Sequence, residues 1–553
     1  MSNYRLLDLM RRRRNAIENH LIDGLVAGRV SRREFIRHGS VLGLSLPLLG
    51  QIGFAAGFGA MPTAAHAQGA PGATIRVACS TPTGAIDPVT LPDVGGLVML
   101  QQTGEFLCLS GSDLVLKPML AESWTPNDTG TVWTFKIRSG VTFHDGATMT
   151  ADDVVASINR LADPANSSNA LSVFSGVMSA GGAKKVDDST VEFHLDAPNG
   201  NFPYLLSSDN YNAIILPASY DGDFEQNFNG TGPFKLEKYT PKVGATFVRN
   251  EDYWGEKALP ARLEFIFFSD IQPQILALQG RQVDVINQLP VLAGAGLLND
   301  PSVTILGQKS ATHHQIHMRN DMEPFKDPRV RRAIALSLDR ERLVQGLMRG
   351  RAEPGNDSPF APVYPSTDAS VPQRTQDITQ AKELLAAAGV TPGTKITLTT
   401  QRYQEIPEYA QLLQNAVREI GLEMELNVMD VGTYYGDAVF GKSNWLDSTM
   451  GITDFGHRGV PNVYLSAPLR SEGTWNAAHF KNAQYDTLAA GYIAALDLEA
   501  QKAEAGKIQR LLLEETPIIY GYFFDYLSAT AQGVTGVNPT AMSQIFLDRA
   551  SKA

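Results

Sequence analysis

Three histidines fall within five residues in THHQIHMRN, where His313, His314 and His317 are the side chains best able to ligate a metal. A four-residue spacing would align His313 and His317 on a helix, but the Thr, Ile and Met around them favour a strand, on which alternate residues face opposite ways. That geometry turns His314 away from the other two, so no metal site is expected. The adjacent carboxylates Asp152 and Asp153 have the make-up of an acid/base pair. They follow Thr150 at the start of an apolar-periodic segment, however, and the expectation is helix capping and a favourable place in the helix dipole. Of the spacings that catalysis uses, GxGxxG, GxSxG and HExxH are absent. Phosphate loops, nucleophile elbows and zincin helices are not expected, nor are catalytic residues or a cofactor.

The elements that must position such side chains can be read from periodicity. TIRVACS, from Thr74, reads as a first strand. Trp133, Phe135 and Ile137 alternate with Thr134, Lys136 and Arg138 in a half-buried strand, and Val141 and Phe143 are expected to start its partner after the turn at Ser139-Gly140. Thr150 then caps a helix with Val154, Ile158 and Leu161 on one face. FKLEKY and ATFVRN read as antiparallel strands, followed by a helix closed by Gly280 and a strand through Val283 and Val285.

After about Ile316 helices lengthen. Asp327 and Pro328 open one with Val330, Ile334 and Leu338 inward, a second runs from Asp339 to Gly350, and Asp377 opens a third that Gly389 ends. KITLTT, PEYAQLLQNAVREIG and EMELNVMD then give strand, helix, strand with short connections, which implies a parallel βαβ unit with Ala410, Leu413, Val417 and Ile420 inward. IIYGYFF is a late strand. The class is α/β, and the chain is too long for one core, so at least two lobes are expected.

The chain of 553 residues carries a net charge of −11. Residues 1–67 hold nine arginines against four acids, so removing their +5 leaves −16 on the remainder. A surface that acidic repels phosphate backbones and excludes nucleic acid as a partner. Gly39 to Ala65 is uncharged, and Val41–Ala60 has the length to span a bilayer, but Pro47 and five glycines dilute its apolar character. Ala65-His66-Ala67 suits a signal peptidase, so residues 1–67 are expected to be a signal peptide cleaved after Ala67. SRREFIR, Ser31 to Arg37, resembles the twin-arginine export motif and implies the twin-arginine translocase as a partner. Cys79 and Cys108 are expected to be buried free thiols.

The blocks LAESWTPNDTGTVWTFKIRSGVTFHDG, TADDVVASI, GTGPFKLEKY, VRNEDYWG, ALQGRQVDV, FKDPRVRRAIALSLDRERLV and QAKELLAAAG occur in this order. Together, over nearly all of residues 74–545, they closely resemble the family 5 extracellular solute-binding proteins of ABC importers, the peptide, dipeptide and nickel binder group. The resemblance implies a periplasmic binding protein type II-like fold of two hinged lobes and an extra subdomain. It places lobe I at 68–110, 228–315 and 521–553, the extra subdomain at 111–227 and lobe II at 316–520. It further implies a soluble periplasmic monomer that captures a small peptide or related amine-bearing solute and delivers it to the permease subunits. In peptide-binding members a lobe II carboxylate meets the peptide amino terminus, and the matching stretch MGITDFGHRGVPNVYL puts Asp454 there. Members often continue with an acidic residue and proline, whereas Gly456-His457-Arg458-Gly459 intervenes here. Arg458 would either neutralise Asp454 or grip a ligand carboxylate. Tyr434, Tyr435, Trp445, Trp475 and His479 are candidate cleft lining. The alternatives are a metal chelate or sugar-derived solute bound by the same fold, or an exported hydrolase.

Overall fold

The computed structural model describes residues 7, 10–12, 14–58, 72–91 and 93–553. Cleavage after Ala67 lies outside them. The strand Thr74–Ser80 buries Ile75, Val77 and Cys79 on one face and Ala78 on the other. Such a strand needs cover on both sides of its sheet. It pairs in parallel with Arg262–Phe268 on one edge and Val285–Ile286 on the other, at the centre of seven strands. The outer members are Gly244–Arg249 and Phe234–Thr240 at one side, Tyr526–Ala531 and Val303–Gln308 at the other.

A second sheet has six strands, in the order Ala352–Pro354, Ile518–Phe524, His313–Met318, Met450–Phe455, Thr394–Gln401 and Leu422–Met429. Its parallel βαβ unit forms as the spacing predicts: Thr394–Gln401 and Leu422–Met429 lie side by side, and the helix Ile406–Glu419 buries Tyr409, Ala410, Leu413 and Val417. A third, antiparallel sheet of Ala121–Pro126, Val132–Ile137, Thr190–His194 and Ala183–Asp187 is covered by the helix Ala151–Ala162. Two local expectations are corrected. Val141 and Phe143 are buried but start no strand, because only Phe143 and Met149 donate across the turn, to Ala147 and Val141, which makes a single bridge between Thr142 and Thr148. The segment after Asp339 is a short helix, Arg340–Arg342, that widens into a five-residue π turn, Leu343–Leu347, before Gly350. Cys79 and Cys108 are buried free thiols.

The two large sheets are joined by a narrow ribbon. Val303–Gln308 pairs antiparallel with Tyr526–Ala531 in the first sheet, and His313–Met318 pairs antiparallel with Ile518–Phe524 in the second. Between them lie only residues 309–312 on one strand and Asp525 on the other. The Phe524 amide donates to the Thr312 carbonyl at 3.0 Å, and Lys309 pairs with Asp525 at 3.1 Å.

The described part of the N-terminal segment includes the helices Ala16–Val26, Arg32–Val41 and Leu46–Ala55, which share a small apolar core with Leu498. Asn15 with Glu18 and Ser31 with Glu34 close reciprocal capping boxes on the first two. The uncharged run is broken at Gly43, whose φ of 82° ends one helix before the next begins. Among the described residues no helix is long and apolar enough to cross a membrane.

Candidate functional site

Parallel strands present their carboxyl ends, and the loops after them, to one edge of a sheet, where ligand crevices form. Thr394–Gln401 is parallel to both Leu422–Met429 and Met450–Phe455, so three side chains meet at that edge. Gln401 ends the first strand, Tyr435 lies on the short helix Val431–Tyr435 that follows the second, and Asp454 is the penultimate residue of the third. One oxygen of Asp454, Oδ1, accepts from Gln401 Nε2 at 2.5 Å and from Tyr435 Oη at 2.6 Å. Burial, with the Asp454 carboxylate beside it, pushes the Tyr435 hydroxyl far above its ordinary range, which fixes it as a donor. Neither Arg458 nor any other described cation forms an ion pair with Asp454.

Asp454 opens onto a cleft of about 280 Å³ between the two large sheets. The six-stranded half lines it with Tyr403, Glu405, Asp454 and Arg458, and the seven-stranded half with Asp93, Gln288, Tyr526 and Ser543. Glu405 reaches across, its Oε1 accepting from the Leu292 amide at 3.0 Å. A volume near the low end of the roughly 300–1,000 Å³ of ligand pockets suits a compact solute.

The loop that follows Asp454 is held from both sides. His457 Nδ1 accepts from the Ala311 amide at 3.0 Å, and the Tyr364 hydroxyl donates to the Arg458 carbonyl at 2.7 Å. Gly459 is needed for close approach, since a Cβ there would stand 1.7 Å from an Asp209 carboxylate oxygen. Burial pushes the Asp209 carboxyl up to about 7, against the Ser110 hydrogen bond and the positive charge of Arg458, which lower it. Arg458 lines both the cleft and the smaller cavity beside Asp209, with its Nη1 donating to the His457 carbonyl at 3.0 Å.

The aromatic candidates divide. Tyr435 contacts Asp454 directly. Trp445 and Trp475, with ring centroids 6.3 Å apart, pack on Phe455 and Tyr435 in the core behind the strand. The Tyr434 hydroxyl bonds Thr453 within the same core, and His479 is half-buried beside Asp321, away from the cleft lining. Gln401, Tyr403, Glu405 and Tyr526 were not marked by any spacing in the sequence, because they converge only once the strand order is known.

The histidine trio is packing. His313 stacks on Phe455 and bonds the Ala311 carbonyl, His314 bonds Tyr522, and His317 bonds Ser448. Burial pushes His313 down to about 4 and the other two to about 3, so all three are neutral. Asp153 closes a capping box with Thr150 while Asp152 pairs outward with Lys185 at 2.8 Å, which splits that carboxylate pair. One stretch, GDAVFGKS from Gly436 to Ser443, does match the phosphate-loop spacing GxxxxGK[ST]. It is no phosphate cradle, because Asp447 already accepts from the amides of Gly441 and Ser443 and the helix that follows, Asn444–Asp447, is a single turn.

Two sheeted lobes on a narrow ribbon, with a polar cleft at the carboxyl ends of parallel strands, define a solute-binding protein. A model of the bacterial extracellular solute-binding proteins, family 5 Middle, matches residues 115–460, and the chain belongs to that family. It is the solute-binding component of an ABC importer. Di/tripeptide-binding protein 2 of Pseudomonas aeruginosa is 28% identical over 469 residues, covering 78% of this chain and 86% of that protein. The glutathione-binding protein GsiB of Escherichia coli O1:K1 / APEC is 26% identical over 438 residues, covering 77% and 84%. Among solved structures, the periplasmic binding protein DppA from Helicobacter pylori, in complex with the peptide STSA, superposes with a TM-score of 0.71 at 21% identity, over 87% of this chain and 99% of that one.

Proposed function

We propose that this protein captures a small peptide or a related amine-bearing solute in the cleft and hands it, chemically unchanged, to the importer's permease subunits. The observation that carries this reading is Asp454. Two neutral donors hold its Oδ1 in place at the cleft, and no cation among the described residues pairs with it, so the carboxylate is oriented for an ammonium group in a setting of reduced dielectric. The peptide- and glutathione-binding relatives support the same ligand chemistry. Titration calorimetry with di- and tripeptides tests it. Asp454→Ala is expected to weaken binding at least tenfold, about 1.4 kcal/mol, and an unaltered titration would remove Asp454 from the site.

In this reading the lobes comprise 68–110, 228–315 and 521–553 against 316–520, with 111–227 as the extra subdomain, and the mature protein is a periplasmic monomer. The twin-arginine translocase exports it, and cleavage after Ala67 releases it. Arg33 is exposed and Arg32 half-buried on the first turn of the helix Arg32–Val41, where a receptor can reach the pair. Replacing both by lysine is expected to abolish export, read as loss of the periplasmic form by fractionation and immunoblotting. Undiminished accumulation would refute the twin-arginine address.

A further inference from the structure

The helix that carries the two arginines is docked on the body, and its contacts fall on two different parts of it. On the extra subdomain, the Leu116 amide donates to Ser40 Oγ at 2.8 Å and the Trp124 indole to the Val41 carbonyl at 3.0 Å. Gly43 approaches the same tryptophan so closely that a Cβ would stand 2.0 Å from its carbonyl oxygen. On the six-stranded half, Arg37 Nη1 donates to the Val363 carbonyl, and His38 Nε2 bonds the Leu496 carbonyl at 2.8 Å. Glu34 pairs there with Lys502 at 2.6 Å and Arg29 with Glu499 at 2.9 Å, while Leu498 completes the apolar core of the three helices.

These contacts are of the kind that makes an interface specific. Ser40, His38 and Arg37 are polar yet nearly fully buried, and all three take partners from the body; left undocked, Val41, which is buried in the body's own core, would stand in water. The two sides of the seam also touch directly: the Gly200 amide donates to the Ile493 carbonyl, and Asn201 bonds Asn462. Arg37 also lines a small cavity together with Tyr204, Tyr364 and Gly459, the residue after Arg458.

We infer that the segment Ala16–Ala55 is a clasp, a ligand of its own chain, that binds across the seam between the extra subdomain and the six-stranded half and holds the two together. A segment that contacts both sides of a seam at once favours the conformation in which they are close. The inference is independent of the export reading and of the identity of the solute, because it concerns only where these helices sit while they are present.

A protease site inserted among residues 59–71 of the full chain tests it without ligand. After cleavage, the N-terminal fragment is expected to co-elute with the body on gel filtration. Val41→Asp, or Gly43→Val as a second variant on the clasp side alone, is expected to release the fragment after the same cut. Small-angle scattering is then expected to show a larger radius of gyration for the released body than for the clasped one. Three results would overturn the inference: a wild-type fragment that elutes alone, retention by both variants, or release with an unchanged radius.

Discussion

Replacing Asp357 by alanine is expected to destabilise the six-stranded half by about 3–5 kcal/mol, the range found when one partner of a buried ion pair is removed. Asp357 is fully buried and serves two guanidiniums at once, Arg340 at 2.7 Å and Arg374 at 2.6 Å, and it also accepts from the Tyr520 amide at 3.2 Å. Both arginines are almost fully buried, so alanine would strand two cations away from water. Arg340 also donates to the Ala335 carbonyl, and Arg374 to the Leu513 carbonyl near the end of the helix Leu498–Glu515, so the loss spreads to both helices. The backbone at Asp357 has a φ of 50°, a conformation that Asp and Asn adopt more readily than alanine. Asp357→Asn is therefore expected to cost less than alanine while still losing the charge. Urea titration of both variants is the measurement, and an alanine variant within about 1 kcal/mol of wild type would show that the pair is not what holds these helices.

Acidification from pH 7 to pH 5 is expected to lower the stability of the body by about 3 kcal/mol. Burial holds His313 near 4 and His314, His317 and His457 near 3, against 6.5 in the unfolded chain. Below pH 6.5 the unfolded chain takes up protons on these imidazoles that the folded one refuses, so their stabilisation is complete above 6.5 and is lost as the pH falls towards 4. Glu105 and Asp209 act the other way. Burial pushes both up to about 7, against the hydrogen bonds of Tyr253, Trp254 and Thr231 to Glu105 and the influence of Ser110 and Arg458 on Asp209. The folded state keeps protons there that the unfolded state releases, so they gain stability over the same interval. Four imidazoles outweigh two carboxylates. Arg319 beside Asp321 and Arg329 beside Asp327 hold those carboxyls below their usual range and add a further loss only under about pH 4. A urea midpoint that rises between pH 7 and pH 5 would mean that the imbalance has the opposite sign.

Periodicity located the elements whose burial is one-sided. The helix Ile406–Glu419 shows its inward face in Ala410, Leu413 and Val417 because solvent polarises the other side, and the alternation at Trp133, Phe135 and Ile137 works in the same way. Val141 and Phe143 share that alternation but find no ladder, since pairing depends on which backbone lies opposite. The site was less legible. Asp454 stood out only through family resemblance, and the two groups that orient it, Gln401 and Tyr435, are fixed by the parallel register of three strands, which leaves no local mark. Arg458 pairs neither with Asp454 nor with any other described carboxylate and instead donates to the His457 carbonyl, and the phosphate-loop spacing at GDAVFGKS is emptied of meaning by Asp447, a residue beyond the motif.

The ribbon between the sheets carries a mechanical corollary. Its two strands run side by side and are bonded to each other just before and just after residues 309–312 and Asp525, so twisting one half against the other would shear hydrogen bonds, whereas bending leaves them intact. A ribbon of this kind favours bending about one axis over twisting, and severing either strand alone is expected to remove that restriction.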